Sequence, residues 1–237
     1  MRTLANGVEG VFLRRLNRFR TDARVGRRIL AVHVANSGRL RELLFSGNRV
    51  LLLPAGKAGR KTSHDLFLAG RPGGRGWVCM DARVPNQLAR EALGAGCLPG
   101  FQGYTDVLPE HRISGGRVDF CLKGEDLPPC LLETKSVTLV LDGVAMFPDA
   151  PTLRGARHLS RLKEHVLNGG RAAVFFIVLR SDAKAFSPND ANDPAFGRAL
   201  REAASAGVRI EAFKCRVSKR EIQILKEIPV RFVGGAF

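Results

Sequence analysis

One aspartate and a Glu-Thr-Lys triplet lie in two neighbouring segments that have the composition of β-strands. Asp119 stands within residues 117–122, and Glu133 and Lys135 stand within residues 130–141. Side chains two positions apart project from the same face of a strand, so Glu133 and Lys135 share a face. If the two segments pair as a hairpin, the carboxylate of Asp119 converges with them.

These side chains suit metal-dependent hydrolysis of a phosphodiester. Two neighbouring carboxylates repel each other, and a hard divalent cation, Mg²⁺ or Mn²⁺, removes the repulsion and prefers oxygen ligands. We therefore predict Asp119, Glu133 and Lys135 as catalytic residues, with Asp119 and Glu133 also binding the metal. Glu110 is the candidate for a third metal ligand, and Glu91 is a weaker candidate. The Lys135 cation would orient the attacking water or stabilise charge on the phosphoryl group.

The alternative interpretation of the triplet is a surface salt bridge, because Glu-x-Lys is a short and common pattern. Strict alternation, however, places Val118, Phe120 and Leu122 on the face opposite to Asp119, and the second segment is apolar on both sides of its triplet. Charged side chains inside an apolar strand of a covered sheet are costly unless they are paired or functional. The apolar surroundings therefore favour a functional site.

The segments around this set predict that helices and strands alternate in the second half of the chain. The strongest helix pattern covers residues 152–168, where apolar residues recur every three or four positions before Gly169 and Gly170. An all-apolar strand at 172–179 indicates burial on both faces of a sheet. This order describes an α/β (α+β) sheet flanked by helices. The other predicted elements are a helix at 87–93 with Asn86 as its N-cap, strands at 104–112 and 208–217, a helix with Asp193 as its N-cap and Pro194 at its first position, and a short helix at 219–226.

The first part of the chain predicts a small β-barrel. Five short β-type runs are separated by Asn or Gly turns, and residues 39–44 can form one or two helical turns after the third run. This order matches a five-stranded OB-like barrel, with a five-stranded SH3-like barrel as the alternative. A Gly- and Pro-rich segment at 70–76 has the composition of a loop or linker, so we predict domains at 1–75 and 76–237. The five runs are residues 8–15, 18–25, 28–34, 48–53 and 63–68.

The charge of the chain favours a polyanionic partner. Its 38 Lys and Arg against 22 Asp and Glu give a formal net charge of +16, and phosphate contacts release condensed counterions. We therefore predict a nucleic acid, DNA before RNA, as the partner, and the sequence specifies no oligomeric state. A basic protein from a GC-rich genome is the alternative, and a membrane surface fits less well because the charge is spread along the chain. The predicted nucleic-acid-binding residues are Arg15, Arg18, Arg117, Arg154 and His158.

Residues 12–20 interleave four arginines with Phe12 and Phe19. Cations interleaved with aromatic rings suit a single strand, through its phosphates and its bases respectively. A basic strand face with two phenylalanines in the core explains the same pattern slightly better.

The cysteines and the apolar runs bear on the compartment. The five cysteines are odd in number and include no C-x-x-C pair, which indicates neither a disulfide framework nor a zinc site. No stretch approaches 18 apolar residues, so we predict no transmembrane span, and arginines interrupt the first apolar residues, unlike in a signal peptide. We therefore expect a cytoplasmic protein with reduced thiols.

Longer motifs show a resemblance to a known family. Residues 117–120 (Arg-x-Asp-Phe), 132–139 (Leu-Glu-Thr-Lys-Ser-Val-Thr-Leu) and 147–159 (Phe-Pro-Asp-Ala-Pro-Thr-x-Arg-Gly-x-x-His-Leu) strongly resemble the sugar fermentation stimulation protein A (SfsA) family. Shorter matches extend the resemblance over almost the whole chain. The resemblance implies an N-terminal OB-like domain, a PD-(D/E)xK nuclease-like domain with a mixed sheet, DNA binding, and a regulatory role in sugar (maltose) metabolism.

The sequence departs from the family pattern at two positions. Thr134 stands where the family usually has valine, on the face that we expect to lie opposite the site. Gly116 stands where the family usually has serine, which removes one hydroxyl near the predicted metal.

Three functional hypotheses follow. The first is a nucleic-acid-binding protein with a divalent-metal nuclease site. The second is a non-catalytic DNA-binding regulator on a nuclease-like scaffold, and the third and weakest is an RNA-processing or RNA-chaperone role of the barrel. All three predict salt-sensitive binding to phosphates, and only the first predicts that a metal changes a covalent bond.

Overall fold

A closed β-barrel with one additional strand forms the first part of the protein. The computed structural model describes residues 6–56, 59–113 and 115–232, so the outermost residues of the two predicted domains, 1–5 and 233–237, lie outside it. The strands of this part are β1 (Val8–Asn17), β2 (Arg20–Val25), β3 (Arg28–His33), β4 (Arg49–Pro54), β5 (His64–Gly70) and β6 (Trp77–Cys79). Their order is β3-β2-β1-β4-β5-β6, and a parallel pairing of β3 with β5 closes the barrel. The five predicted runs and the OB-like barrel are confirmed.

The Gly- and Pro-rich segment is the loop of a hairpin. The backbone N–H of Arg71 donates to the carbonyl of Gly76 at 3.3 Å, and β6 then pairs antiparallel with β5. The first sheet therefore continues past this loop to Cys79, and the division of the chain at residues 75 and 76 stays a prediction.

A six-stranded mixed sheet with helices on its faces forms the second part. Its order is β15-β14-β12-β9-β8-β7, in which β9, β12 and β14 are parallel and the outer pairings are antiparallel. Strands β10, β11 and β13 form a separate small sheet. In chain order the elements are α1 (Val84–Gly94), β7 (Asp106–Ile113), β8 (Gly116–Gly124), β9 (Leu127–Val137), β10 (Val140–Leu141), β11 (Val144–Phe147), α2 (Leu153–Leu167), β12 (Arg171–Val178), β13 (Ala185–Pro188), α3 (Pro194–Ser205), β14 (Arg209–Val217) and β15 (Ile222–Ile228).

Side chains cap the N-termini of α2 and α3, but not that of α1. Thr152 caps α2 by accepting from the N–H of Gly155, and the predicted N-cap Asp193 accepts from the N–H of Phe196 at the start of α3. The predicted N-cap Asn86 is wrong, because α1 already begins at Val84 and has no side-chain cap. Asn86 therefore lies within the first turn of α1, and its side chain is free for a tertiary contact.

The C-terminal segment predicted as a helix at 219–226 is not helical, and from Ile222 onward it is strand β15. β15 pairs antiparallel with β14, with Val217 opposite Ile222 and Cys215 opposite Ile224. Its Lys, Glu, Gln and Leu residues have helical propensity, but the unpaired edge of β14 and the burial of Ile222 decide the conformation.

Three apolar cores hold these layers together. The first fills the barrel around Phe12, and the second lies between the barrel, α1 and one face of the mixed sheet. The third lies between the other face and helices α2 and α3. β12 contributes Phe175 to the second core and Phe176 to the third, so the predicted burial of this strand on both faces is confirmed. This packing fixes β9, the neighbour of β12, as a rigid support for the candidate site.

No disulfide joins the five cysteines within the described residues, and Cys97 is the exposed one among them. No helix within the described ranges combines the length and the apolar character that a membrane crossing requires.

Candidate active site

A cleft of about 850 Å³ lies where the barrel loops meet the mixed sheet. Its lining includes residues 36–38 of the barrel, residues 133–138 at the end of and just after β9, and residues 146–154 before and within α2. Its acidic and basic side chains are equal in number, so their formal charges cancel, although the chain as a whole carries +16. The acidic side chains are Glu110, Asp119, Glu133 and Asp149, and the basic ones are Arg18, Arg83, Lys135 and Arg154.

Glu133 is a buried carboxylate that is only half satisfied. Its side chain is 5% exposed, and its Oε1 accepts from the ammonium of Lys135 and from Nδ1 of His158 at 2.5 Å. Its Oε2 is buried without a hydrogen-bond partner. Burial raises the pKa of the Glu133 carboxyl, but the His158 hydrogen bond and the Lys135 charge outweigh burial and hold this pKa below its usual range. The carboxylate is therefore ionised at neutral pH with one oxygen available for a ligand.

His158 holds Glu133 in place. The Arg154 side chain donates through Nε to Nε2 of His158 at 3.3 Å, which makes Nε2 an acceptor. The ring proton of the neutral imidazole then lies on Nδ1 and points at Glu133. His158 is one of the buried polar residues of the protein and lies beside Arg154 on α2. In this geometry it contacts a carboxylate, and its contact with a nucleic acid stays a prediction.

Asp119, on β8, is held by Thr134 of the neighbouring strand β9. Its Oδ2 accepts from the backbone N–H of Thr134 at 2.8 Å and from the Thr134 hydroxyl at 3.0 Å. The same hydroxyl contacts Oδ1 of Asn86 on α1. Because a hydroxyl has one proton, it can donate to only one of these two oxygens, Asp119 Oδ2 or Asn86 Oδ1, at a time. Asn86 and Thr134 are thus site residues that the sequence reasoning missed.

Glu133 and Lys135 contact each other, and Asp119 on the neighbouring strand β8 lines the same cleft. Glu133 faces α2, whereas Thr134, the partner of Asp119, faces α1. Strict alternation fails in β8. Val118 packs in the same core as Cys121, although the two-residue period places these side chains on opposite faces of the strand. Asp119 on β8 and Glu133 on β9 both line the one cleft.

Glu110 and Arg117 lie at the rim. They form an ion pair at 2.7 Å, and both side chains are more than half exposed. Glu110 has φ of +53°, a left-handed conformation that is uncommon for residues other than glycine. In the register of β7 with β8, Glu110 falls opposite Asp119, where the alternation of β8 also breaks. Metal binding by Glu110 and nucleic-acid contact by Arg117 stay predictions.

Arg15 and Arg18 take different positions in the barrel. The Arg15 guanidinium donates to the carbonyls of Arg18, Asn36, Gly38 and Arg39 at 2.6 to 3.2 Å. Burial lowers the pKa of Arg15, and the negative charge of Asp149 counteracts this effect. Arg15 therefore organises the loop that lines the cleft, whereas Arg18 is exposed and lines the cleft itself.

A contact from the second part of the chain fixes the same loop. Oδ2 of Asp149 accepts from the backbone N–H of Leu40 at 2.6 Å, and Leu40 has φ of +55°. A Cβ on Gly38 would lie 2.9 Å from the same oxygen. Asp149 belongs to the long motif in the sequence, yet its partner is more than one hundred residues away, so spacing within the motif could not reveal the contact.

The side chains fit a divalent cation in part. The unpaired Oε2 of Glu133 and the oxygens of Asp119 are hard donors of the kind that Mg²⁺ and Mn²⁺ prefer. Within the part of the chain that the structure describes, however, no three His, Cys, Asp or Glu side chains are gathered as a ready ligand set. Lys135 contacts Oε1 of Glu133, so only Oε2 of this carboxylate is without a partner.

Comparison with known proteins agrees with this architecture. Residues 13–80 match the SfsA N-terminal OB domain, and residues 83–221 match the sugar fermentation stimulation protein RE domain. A sugar fermentation stimulation protein homolog of Symbiobacterium thermophilum is 47% identical over 240 residues, covering 94% of each chain, and one of Moorella thermoacetica is 44% identical over 229 residues, covering 96% of this chain and 97% of the other. A solved structure of Pyrococcus furiosus SfsA in complex with Ca²⁺ superposes with a TM-score of 0.89 at 30% identity, covering 98% of both chains. On this sequence and structural similarity, the chain belongs to the sugar fermentation stimulation protein family.

Proposed function

We propose that this protein binds DNA and hydrolyses phosphodiester bonds with a divalent cation, Mg²⁺ or Mn²⁺, in the cleft described above. The observation that carries the proposal is the buried, ionised Glu133, which keeps one oxygen without a partner beside Lys135. Desolvating a carboxylate and leaving an oxygen unpaired is costly, and it is common where a ligand completes the site.

The charge of the cleft supports the need for a cation. Its four acidic and four basic side chains cancel, so a phosphodiester gains little net attraction from the lining alone. A bound divalent cation would supply the missing positive charge and Lewis acidity toward the phosphodiester. The Pyrococcus furiosus relative was solved with Ca²⁺, which is also a hard cation with oxygen ligands.

The residues of the cleft would have separate roles in hydrolysis: metal binding, charge stabilisation and phosphate binding. Asp119 and Glu133 would hold the cation, with Glu110 as a further ligand from the rim. Lys135, only 12% exposed, would place its ammonium against the phosphoryl oxygens, where charge develops in the transition state. Arg154 lies at the first turn of α2 and lines the cleft, so it can bind a neighbouring phosphate.

A second function is favoured by a specific observation. Lys135 and His158 already occupy Oε1 of Glu133, and no ready ligand set exists among the described residues. On this ground a non-catalytic DNA-binding regulator of sugar (maltose) metabolism on a nuclease-like scaffold is the alternative. In either function we place the protein in the cytoplasm, where its thiols would stay reduced.

A cleavage assay separates the two functions. Labelled single- and double-stranded DNA and RNA would be incubated with the protein in Mg²⁺, Mn²⁺ or EDTA, beside Glu133→Ala and Lys135→Ala. Exposed residues of the adjacent hairpin, changed to Lys123→Ala and Glu125→Ala, are the matched controls.

We expect cutting only with Mg²⁺ or Mn²⁺, lowered about 100-fold or more by either site substitution and unchanged in both controls. DNA binding should persist in the site variants. Binding without cutting under any metal, or equal cutting by all variants, would refute the hydrolytic function and favour the regulator.

A further inference from the structure

We infer that a second cleft, on the barrel, binds the bases of single-stranded nucleic acid. It directs that strand into the first cleft, called the acidic cleft below because it holds Asp119 and Glu133. This inference rests on the proposed function and specifies its substrate class. The second cleft has a volume of about 730 Å³ and is lined by the loops β1–β2 and β4–β5 and the end of β3. These are the loops with which OB barrels hold oligonucleotides.

This cleft is lined by an exposed aromatic ring, Phe19, whose backbone is fixed by hydrogen bonds. Phe19 is 47% exposed, whereas Phe12, its companion in the sequence pattern, is buried in the barrel. The Phe19 N–H donates to Oδ1 of Asn17, and the Phe19 carbonyl accepts from the N–H of Val34, both at 2.9 Å. Its ring stacks on His33 at 6.3 Å between centroids and an interplanar angle of 26°. An isolated exposed phenylalanine needs no explanation, but one that is fixed at its backbone and backed by a second ring is a preorganised stacking surface.

A basic rim surrounds this ring. Arg20, Arg60, Lys61 and Arg83 line the cleft together with a single described carboxylate, Asp65. Asp65 pairs with Arg60 at 2.6 Å and with Arg83 at 3.1 Å, while Arg20 and Lys61 are exposed. The lining is therefore positive overall, in contrast to the acidic cleft, whose charges cancel. Cations beside an aromatic ring match the alternating phosphates and bases of a nucleic-acid strand.

The two clefts are neighbours. Arg18 lines the acidic cleft and the next residue, Phe19, lines the second cleft. Arg83 lines both. A strand whose base stacks on Phe19 thus has its backbone within reach of residues that border the acidic site.

The geometry favours an unpaired strand over a duplex. A base can stack on Phe19 only if one of its faces is free, and the bases inside a duplex already stack on one another. The sugar is not specified by stacking, so single-stranded DNA and single-stranded RNA share the relevant chemistry.

The test measures binding in EDTA, so it does not depend on cleavage. Fluorescence anisotropy would be recorded with a labelled 15-nucleotide DNA strand, the RNA strand of the same sequence, and the corresponding DNA duplex. The variants are Phe19→Leu, which removes the ring, Phe19→Trp, which keeps one, and Phe45→Leu. Phe45 is 45% exposed but lines neither cleft, so it is the matched control.

We expect the wild type to prefer single strands to the duplex, and Phe19→Leu to weaken single-strand binding about 5- to 100-fold, the range of one base-stacking contact. Phe19→Trp should retain the affinity and show quenching of the new indole by the single strand, and Phe45→Leu should bind as the wild type. Arg20→Gln should instead lower the slope of log K against log salt by about 0.7, the value for one phosphate of a single strand. The ratio of DNA to RNA affinity identifies the sugar that the protein selects.

Equal losses for strand and duplex in Phe19→Leu, unchanged single-strand binding, or tighter duplex binding by the wild type would overturn the inference. These results are independent of the hydrolytic proposal. Single-strand binding that depends on Phe19 would support the second cleft even if no metal supported cutting. Metal-dependent cutting together with binding that does not depend on Phe19 would support the hydrolytic proposal and refute the second cleft.

Discussion

Replacing Asp149 tests whether one carboxylate holds the barrel loop at the cleft. Its Oδ2 accepts from the N–H of the fully buried Leu40 at 2.6 Å. A hydrogen bond to a charged group contributes roughly 1.5–3 kcal/mol, and a neutral one roughly 0.5–1.5 kcal/mol. We therefore expect Asp149→Ala to lower the free energy of unfolding by about 2 kcal/mol. Asp149→Asn, which can keep an acceptor oxygen in the same place, should lower it by about 1 kcal/mol.

Equilibrium unfolding in urea at pH 7 measures both values, with an unchanged m value as the condition for comparing them. The exposed Asp106→Ala is the matched control and should stay within about 0.5 kcal/mol of the wild type. A loss below about 0.5 kcal/mol in Asp149→Ala, or equal losses in the Asn and Ala variants, would refute the hydrogen-bond argument. Because residues 36–38 line the cleft, we also expect the Ala variant to bind DNA more weakly.

Two further predictions concern buried or partly buried carboxylates of the second part. Asp193 caps α3 and also accepts from the N–H of Thr152 at 2.7 Å, so Asp193→Ala should cost about 2–3 kcal/mol in urea unfolding, the sum of a cap and an orphaned donor; a loss below about 1 kcal/mol would contradict this. Burial raises the pKa of Asp182, but its two hydrogen bonds with Arg180 lower this pKa further, to below its usual range. A lowered folded-state pKa stabilises the protein above the unfolded pKa of about 3.9 and this contribution is lost as the pH falls through the folded value. Asp182→Asn should therefore be less stable than the wild type at pH 6 and should approach it below pH 4, as measured by urea unfolding across this range; a difference that is constant with pH would refute the assignment.

The sequence predicted the supports of the site well because their signals are local. Apolar periodicity located α2 and β12, and Asp193 followed by Pro194 located the start of α3. The two-residue period also placed Glu133 and Lys135 on one face, where they form an ion pair. Each of these features depends on residues within one or two turns of each other.

The failures arose where a distant partner decides the local conformation. The segment 219–226 has helical residues but completes the sheet beside β14. Asn86 has the chemistry of an N-cap, yet α1 starts two residues before it and the side chain turns to Thr134. In both cases tertiary contacts outweigh propensities that differ by well under about 1 kcal/mol per residue.

Thr134 shows how a departure from a family pattern can act on the site itself. Sequence alternation assigned it to the face opposite Glu133, and the family usually has valine there. In this structure its hydroxyl donates to Asp119, and its backbone N–H donates to the same oxygen. Valine would keep the backbone bond, because every residue except proline has an N–H, but it would lose the hydroxyl bond. The position of Asp119 is therefore set in part by a backbone N–H that every residue except proline supplies at 134, and in part by a hydroxyl that valine lacks.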